Sequence, residues 1–222
     1  MSIENTPPHP DIRRLSPLDR LLIEADRALK TTTGAVAAGQ LSPAGTEPPV
    51  SLPAQHRKLS EGLMRVNHTG EIAAQALYRG QALVARNNRQ RTALLKAADE
   101  EQDHLAWCEA RLQELNGHTS LLAPFWYSGS FLIGLAAGLA GDRWSLGFVE
   151  ETENQVSAHL DDHLGRLPET DRRSRAVVEK MRADEARHAA EAREAGAAPL
   201  PAPVRKLMNR VADVMRFVSF RI

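Results

Sequence analysis

Four stretches of the chain repeat apolar residues at spacings of three and four, which is the period of an amphipathic helix. They run from about residue 59 to 87, 90 to 115, 145 to 167 and 171 to 195. No proline falls inside any of them, and proline is costly within a helix. The alternation of β-branched residues that is typical of strands is absent. The pattern therefore predicts an all-α fold built on a bundle of four long helices.

Two further apolar stretches lie outside this pattern. Residues 121–140 contain no charged side chain and form a long crossover between the second and third helices. At about 1.5 Å per residue this stretch is long enough to span hydrocarbon, but its glycines and its place inside a bundle favour an element lying on the surface. Residues 204–222 have the pattern of an extra amphipathic helix at the C-terminus. Its apolar stripe holds Val204, Leu207, Met208, Val211, Val214, Met215 and Val218, and its basic face holds Arg205, Lys206, Arg210 and Arg216.

The N-terminal region differs from the rest in composition. Residues 16–29 have the spacing of a short amphipathic helix, and residues 31–53 are rich in proline and glycine, as in a flexible linker. We therefore divide the chain into an N-terminal extension over residues 1–55 and a bundle domain over residues 56–222. The first 30 residues carry five acidic side chains and no apolar signal core, so we expect a protein made and kept in the cytosol of a bacterium.

Charge and cysteine content exclude several classes of protein. The chain has 28 Lys and Arg against 28 Asp and Glu, so its net charge of zero gives no long-range attraction to nucleic acid. The single cysteine, Cys108, excludes an intrachain disulfide framework and a zinc ribbon. We expect Cys108 to fill a small space in the core.

Polar residues interrupt the apolar stripe of each long helix. Glu71, Glu101, Glu153 and Glu185 each occupy a position that should point inward, and His104 and His188 follow two of these glutamates by three residues. Residues at i and i+3 are neighbours on a helix surface, so one Glu-x-x-His pair can hold one ion. Four ionised carboxylates in a core would cost several kcal/mol each unless their charge were compensated. Two divalent cations would neutralise four glutamates.

The spacing repeats in the two halves of the bundle. Glu71 precedes Glu101 by 30 residues, and Glu153 precedes Glu185 by 32 residues. Each half therefore supplies one Glu and one Glu-x-x-His, which is the ligand set of ferritin-like dinuclear carboxylate proteins. Carboxylate and imidazole ligands suit iron or manganese better than a thiolate-seeking metal. The sequence thus predicts a dinuclear site formed by Glu71, Glu101, His104, Glu153, Glu185 and His188.

Several assignments stay open at this stage. Glu150 or Glu151 would replace Glu153 if the third helix were rotated. His159 lies about 120° from the ligand direction, so it either supports the site and its substrate or is solvated.

We expect the remaining polar residues near the motifs to have structural roles or to face solvent. Glu100, Asp103 and Asp184 are expected to cap helices, face solvent or support the ligands. His68 is expected to bond to local backbone, and no role is given to His9, His56, His118 and His163. Two alternatives to a dinuclear iron site are a metal-free network of salt bridges between the inward Glu and His residues, and a manganese catalase-like enzyme.

The motifs together resemble one family. The segments Arg65-Val66-Asn67-His68-Thr69-Gly70-Glu71, Glu101-Gln102-Asp103-His104 and Asp184-Glu185-Ala186-Arg187-His188, with Glu153 and the glycine-rich crossover, are similar to those of the demethoxyubiquinone hydroxylases. These are ferritin-like di-iron carboxylate proteins that act late in ubiquinone biosynthesis. The likeness runs from about residue 59 to the C-terminus and leaves the N-terminal extension without an assigned role.

The resemblance implies a fold, a cofactor and a reaction. Two iron ions per chain would be held by Glu71, Glu101, His104, Glu153, Glu185 and His188, with His159 near the site. The implied enzyme is an O2-dependent monooxygenase that hydroxylates the ring of a polyprenyl methoxy-methyl-benzoquinol, without an organic base or nucleophile. Its implied partners are O2, this membrane-borne quinol, the membrane surface and other proteins of ubiquinone biosynthesis.

The apolar stretches fit a substrate that lives in the bilayer. A helix with basic residues opposite valines suits an anionic membrane surface, so we expect a peripheral protein on the cytoplasmic face of the inner membrane. Packing of the same stretches against another subunit or against the core is the alternative. The chief functional alternative is a ferritin-like iron storage or ferroxidase protein, which predicts a hollow shell with polar outer surfaces.

Overall fold

The computed structural model describes residues 16–34 and 37–222. In these two stretches the chain forms seven α-helices, one short 3₁₀-helix and no strand. The α-helices are α1 (Pro17–Thr33), α2 (Ala54–Val84), α3 (Asn88–Glu114), α4 (Ala123–Leu139), α5 (Asp142–Arg166), α6 (Arg172–Glu194) and α7 (Ala202–Ser219), and the 3₁₀-helix spans Pro43–Thr46. The prediction of an all-α, ferritin-like helical bundle is confirmed.

Two helical hairpins form the bundle. Helix α2 pairs with α3 and α5 pairs with α6, each across a short connection. The second helix of each hairpin begins at a side-chain cap: Asn87 accepts a hydrogen bond from the Arg89 N–H, and Asp171 accepts one from the Ser174 N–H. Such caps satisfy amide groups that have no partner in the first turn. The capped turns therefore fix where α3 and α6 start.

Helix α2 is longer than its apolar period indicates. It begins at Ala54, directly after Pro53, whereas the pattern starts only at about residue 59. The first turn, with Gln55, His56 and Arg57, is exposed and therefore carries no apolar signal. The Arg57 N–H donates to the Pro53 carbonyl at 2.9 Å, so the helical hydrogen bonds begin before the stretch that packs.

The uncharged crossover is itself a helix, α4, which packs closely along α2. Glycines allow this approach: a Cβ added at Gly134 would collide with the Leu77 carbonyl, and one at Gly80 with the Phe131 carbonyl. Small residues at such positions let two helix backbones lie close together. Among the described residues, no helix combines the length and the apolarity that a membrane-spanning segment needs.

The buried apolar residues of the described chain form three clusters, and two of these are layers to which all four long helices contribute. One contains Met64 from α2, Cys108 from α3, Leu160 from α5 and Met181 from α6. The other lies towards the opposite end and contains Ala74, Leu94, Val149 and Ala192 from the same four helices. On each of these four helices, the predicted inward glutamate lies in the sequence between the residue of one layer and the residue of the other. The expectation that Cys108 is a buried core residue is also confirmed.

The described part of the N-terminal region lies against the bundle. Helix α1 begins with a capping box between Ser16 and Asp19, ends at Gly34 with φ of 74°, and packs on α2 and α4. The 3₁₀-helix Pro43–Thr46 contacts α3 and α6. Residues 37–53, for which the sequence favours a flexible linker, thus make defined contacts. The division into an extension over residues 1–55 and a domain over residues 56–222 stays a prediction.

Candidate metal centre

The structure brings the six predicted ligands together in the middle of the bundle. They form two groups of four, Glu71, Glu101, His104 and Glu185 in one, and Glu101, Glu153, Glu185 and His188 in the other. Within each group, one candidate ligand atom per residue lies within 4.8 Å of all the others. Glu101 and Glu185 belong to both groups. The arrangement therefore has the form of two adjacent cation sites that share two carboxylates.

Each of the two histidines turns Nδ1 towards the carboxylates. Nδ1 of His104 lies 2.9 Å from Glu101 Oε2 and 3.1 Å from Glu185 Oε1. Nδ1 of His188 lies 3.2 Å from Glu185 Oε2 and 3.3 Å from Glu101 Oε1. The i, i+3 spacing on α3 and α6 is what puts each imidazole beside the glutamate of its own helix.

The opposite ring nitrogen of each histidine faces another carboxylate. Nε2 of His104 lies 3.1 Å from Asp184 Oδ2, and Nε2 of His188 lies 2.9 Å from Glu100 Oε2. An imidazole that donates its Nε2–H outward in this way keeps the Nδ1 lone pair free for a cation. The expectation that Glu100 and Asp184 support the ligands agrees with this geometry.

Apart from these close histidine–carboxylate contacts, several buried polar atoms in the cluster have no hydrogen-bond partner among the described residues. They include both carboxylate oxygens of Glu101, Oε1 of Glu153, Oε1 of Glu185 and Nδ1 of His104. Buried polar groups in proteins are nearly always paired, because an unpaired one costs desolvation free energy. Four of the five unpaired atoms are carboxylate oxygens and the fifth is an imidazole nitrogen, so all can bind a divalent cation. The residues present therefore fit a metal ion.

Burial shapes the protonation of the cluster when no cation is bound. Burial raises the pKa of Glu71 to about 8, and it raises the pKa of Glu153 well above its usual range. The nearby Glu185 charge raises both further. These two carboxyls are therefore protonated near neutral pH unless positive charge is supplied.

The histidines behave in the opposite way. Burial lowers the pKa of His188, but hydrogen bonds to Glu101 and Glu185 outweigh it and raise that pKa to about 11. Burial likewise lowers the pKa of His104, and bonds to Asp184, Glu101 and Glu185 raise it well above the usual value. The same contacts lower the pKa of Glu101 to about 2 against the effect of burial. A metal ion would have to displace these protons from Nδ1.

Helix α5, the third of the four long helices predicted from the sequence, presents Glu153 to the cluster. The two alternatives that the sequence leaves open on this helix, Glu150 and Glu151, have other partners. Glu150 instead accepts a hydrogen bond from Arg193 Nε at 2.7 Å, and Glu151 accepts one from Gln155 Nε2 at 2.6 Å. His159 belongs to neither group of ligand atoms. Its ring lies 5.1 Å from the ring of His163, and its buried Nε2 has no hydrogen-bond partner in the described part of the chain.

Some predictions for the other polar residues were wrong. His68 is 2% exposed, and neither ring nitrogen has a hydrogen-bond partner among the described residues, so the expected bond to local backbone is not made. His163, to which the sequence gives no role, is also 2% exposed, and its Nδ1 lies 2.7 Å from Asn67 Oδ1. In the sequence, the only indication that His68 and His163 are buried was their position at the edge of an apolar stripe. His56 and His118 are exposed, and His9 lies outside the described residues.

Comparison with known proteins agrees with this geometry. Residues 58–219 match the family model of the ubiquinone biosynthesis protein COQ7. The chain is 55% identical over 207 residues to a 3-demethoxyubiquinol 3-hydroxylase of Xanthomonas axonopodis pv. citri, covering 93% of this chain and 95% of the relative. It is 53% identical over 209 residues to a protein of that name from Polynucleobacter necessarius, covering 94% of this chain and 100% of the relative. The chain belongs to the ubiquinone biosynthesis protein COQ7 family.

Proposed function

We propose that this protein is a 3-demethoxyubiquinol 3-hydroxylase, an O2-dependent monooxygenase of ubiquinone biosynthesis that works with two iron ions per chain. The observation that carries the proposal is the buried cluster of four glutamates and two histidines in two groups that share Glu101 and Glu185. The printed names of the relatives and the family match support the choice of substrate.

The six predicted ligands would hold the metal. Glu71 and His104 would complete one ion's ligands, Glu153 and His188 the other's, with Glu101 and Glu185 available to both. When bound, the irons supply the chemistry that reduces O2 and delivers one oxygen atom to the quinol ring. The second oxygen atom leaves as water, so each turnover consumes two electrons and two protons besides the quinol and O2.

The protein's own side chains prepare the site. Asp184 and Glu100 fix the tautomer of the two imidazoles, because each accepts an outward Nε2–H. The apolar layers on either side of the cluster exclude water along the bundle axis. Exclusion of water protects a reactive oxidant from side reactions. No side chain is assigned as a general base, since hydroxylation by a di-iron centre needs none.

Genetic complementation tests the function directly. Expression in a bacterial strain that accumulates demethoxyubiquinone should restore ubiquinone, measured in quinone extracts. Glu101→Ala and Glu185→Ala should abolish restoration, because each removes a carboxylate common to both groups. Glu150→Ala, on the outer side of α5, is the matched control and should restore ubiquinone like the wild type. Restoration by both site variants would overturn the proposal.

Metal analysis separates this function from iron storage. A hydroxylase should contain about two irons per chain and elute as a monomer or small oligomer in size-exclusion chromatography. A storage protein should elute as a large shell and take up many irons per chain. Manganese in place of iron, together with peroxide disproportionation, would support the catalase-like alternative instead.

We also propose that the protein binds the cytoplasmic surface of the inner membrane, where its substrate resides. Exposed apolar side chains support this: Leu207 of α7 is 63% exposed, Val214 58% and Phe217 62%, and Phe125 and Leu132 of α4 are exposed as well. Arg205, Lys206 and Arg210 on α7 are exposed beside them. Such a face suits the boundary of an anionic bilayer.

Vesicle flotation tests the membrane proposal. The wild type should float with vesicles that contain anionic lipid, and less with neutral vesicles, because the basic side chains contribute about 1 kcal/mol each near an anionic surface. Leu207→Glu should reduce the floating fraction, whereas Glu179→Gln, on the outer side of α6, should not change it. Equal absence of binding to both kinds of vesicle would contradict the proposal.

A further inference from the structure

Residues 37–46, which we call the anchoring segment, lie against α3 at Asp103, the residue next to His104 in the chain. Asp103 holds this segment through three hydrogen bonds. Its Oδ1 accepts from the Gly39 N–H at 2.6 Å and from the Gln40 N–H at 3.2 Å, and its Oδ2 accepts from Gln40 Nε2 at 2.9 Å. Asp103 is only 9% exposed, so these bonds are largely shielded from water. Hydrogen bonds to a charged acceptor are among the stronger ones in proteins.

Further contacts hold the segment at Gln40 and at Ala44. The indole N–H of Trp107 donates to the Gln40 carbonyl at 3.2 Å, and Arg173 Nε donates to the Ala44 carbonyl at 3.0 Å. Ala44 is buried in the same apolar cluster as Trp107. The segment is therefore attached to one turn of α3 through Asp103 and Trp107, the residues that flank His104 on that turn.

Trp107 connects the anchoring segment to the metal centre. Its ring centroid lies 5.3 Å from that of His104, with the planes inclined by 46°. The His104 imidazole is thus restrained on its face by Trp107 and at Nε2 by Asp184. Among the described residues, His188 makes no comparable ring contact. The two halves of the candidate centre therefore differ in how their imidazoles are held.

We propose that the anchoring segment positions His104 as a metal ligand, by holding Asp103 and Trp107 on the turn of α3 that carries this imidazole. The inference rests on the proposed metal centre. Asp103 and Trp107 are positioning residues, because neither belongs to the groups of ligand atoms. A ligand whose ring rotation is already restricted loses less entropy when it binds a cation, and outer contacts of this kind typically change metal affinity about 10- to 100-fold.

Cobalt titration of the metal-free, full-length protein tests the inference, because Co²⁺ absorption in the visible range reports both affinity and coordination. Asp103→Ala should weaken Co²⁺ binding about tenfold and alter the absorption spectrum. Trp107→Phe keeps an aromatic ring beside His104 but removes the indole N–H bonded to Gln40, and should cause a smaller change in the same direction. Asp99→Ala, one turn earlier on α3 and paired with Arg79, is the matched control and should bind Co²⁺ like the wild type.

A double-mutant cycle separates positioning from a general effect on stability. In a His104→Ala background, Asp103→Ala should cause no further loss of Co²⁺ affinity, because the imidazole on which it acts is gone. In a His188→Ala background, the tenfold loss should persist. If Asp103→Ala does not fold, Trp107→Phe is carried through the same cycle.

The outcomes distinguish this inference from the proposed function. If Asp103→Ala and Trp107→Phe bind Co²⁺ as tightly as the wild type does, the positioning role is overturned. The proposed metal centre is then unaffected. Equal losses in the His104→Ala and His188→Ala backgrounds would also overturn the positioning role. Wild-type protein that binds no Co²⁺ would overturn the metal centre itself and this inference with it.

Discussion

Asp184 and His104 meet across the boundary between α6 and α3, with Asp184 Oδ2 3.1 Å from His104 Nε2. The relation is reciprocal, because Glu100 on α3 contacts His188 Nε2 on α6 at 2.9 Å. In each case the residue directly before one Glu-x-x-His supports the histidine of the other. The two motifs therefore orient each other's imidazoles, and neither helix can form its half of the centre alone.

This relation predicts the effect of Asp184→Asn. The substitution removes the charged acceptor that fixes the Nε2–H tautomer of His104, so affinity for Fe²⁺ or Co²⁺ should fall about tenfold or more. Anaerobic metal titration measures the change. Asp162→Asn is the control, since Asp162 forms an exposed i, i+4 pair with Arg166. Unchanged affinity in Asp184→Asn would show that the Asp184 carboxylate does not support the ligand.

Metal loading should raise the thermal stability of the protein. A cation that binds only the folded state at about 100 times its dissociation constant adds about 2.7 kcal/mol, which is about 5 to 10 °C in melting temperature for a chain of this size. Calorimetry of the metal-free and metal-loaded forms measures the shift. A variant that combines Glu101→Ala and Glu185→Ala should show none. Equal melting temperatures for both forms of the wild type would favour the metal-free salt-bridge network.

His163 should make stability depend on pH. Burial first, and then Arg166 and Arg216, lower its pKa to about 3 from an ordinary 6.5. Below pH 6.5 the unfolded chain binds a proton that the folded protein does not accept, so stability falls as the pH is lowered and is fully retained above that pH. Between pH 7.5 and 5 this histidine should contribute a loss of about 2 kcal/mol.

Urea unfolding at the two pH values measures this effect. His163→Gln should lose less stability than the wild type between pH 7.5 and 5, because it removes the group that titrates in the unfolded chain. His56→Gln, in the exposed first turn of α2, should retain the wild-type dependence. The same pH dependence in His163→Gln and the wild type would contradict a buried, neutral His163.

The contact between α4 and α2 should be sensitive to single methyl groups. In Gly134→Ala the new Cβ would collide with the Leu77 carbonyl, so we expect a loss of about 1 to 3 kcal/mol. Gly129→Ala on the same helix meets nothing within 4 Å and should stabilise the protein by about 0.5 to 1 kcal/mol. Chemical denaturation measures both. Equal stabilities for the two variants would indicate that α4 is not held against α2 in this register.

The inward glutamates and histidines could be identified from the sequence because helical periodicity links spacing to direction. A polar residue that interrupts an apolar stripe can be recognised in the sequence alone. This criterion is sufficient to select Glu71, Glu101, His104, Glu185 and His188. The sequence alone does not select Glu153, because a rotation of one helix would exchange it with Glu150 or Glu151. Packing of Val149 and Leu160 in the two apolar layers fixes that rotation.

Other features depend on contacts between residues far apart in the chain. The bonds from Asp103 to Gly39 and Gln40 join residues more than 60 positions apart. The contact between His163 and Asn67 joins helices α5 and α2. Proline and glycine in residues 31–53 favour a segment without a long helix, but the partners of an irregular segment are not encoded in a local period.

Local spacing and side-chain type are enough to predict that this chain forms helices, which residues line their inner faces, and which chemistry those residues share. How the inner faces meet becomes visible only in the folded protein. The tertiary structure sets the rotation of α5, the exchange of supporting carboxylates between α3 and α6, and the attachment of the anchoring segment beside His104. Helix rotation and long-range hydrogen bonds depend on how the whole core packs. That packing is made of contacts between residues far apart in the chain, so no single stretch of sequence specifies it.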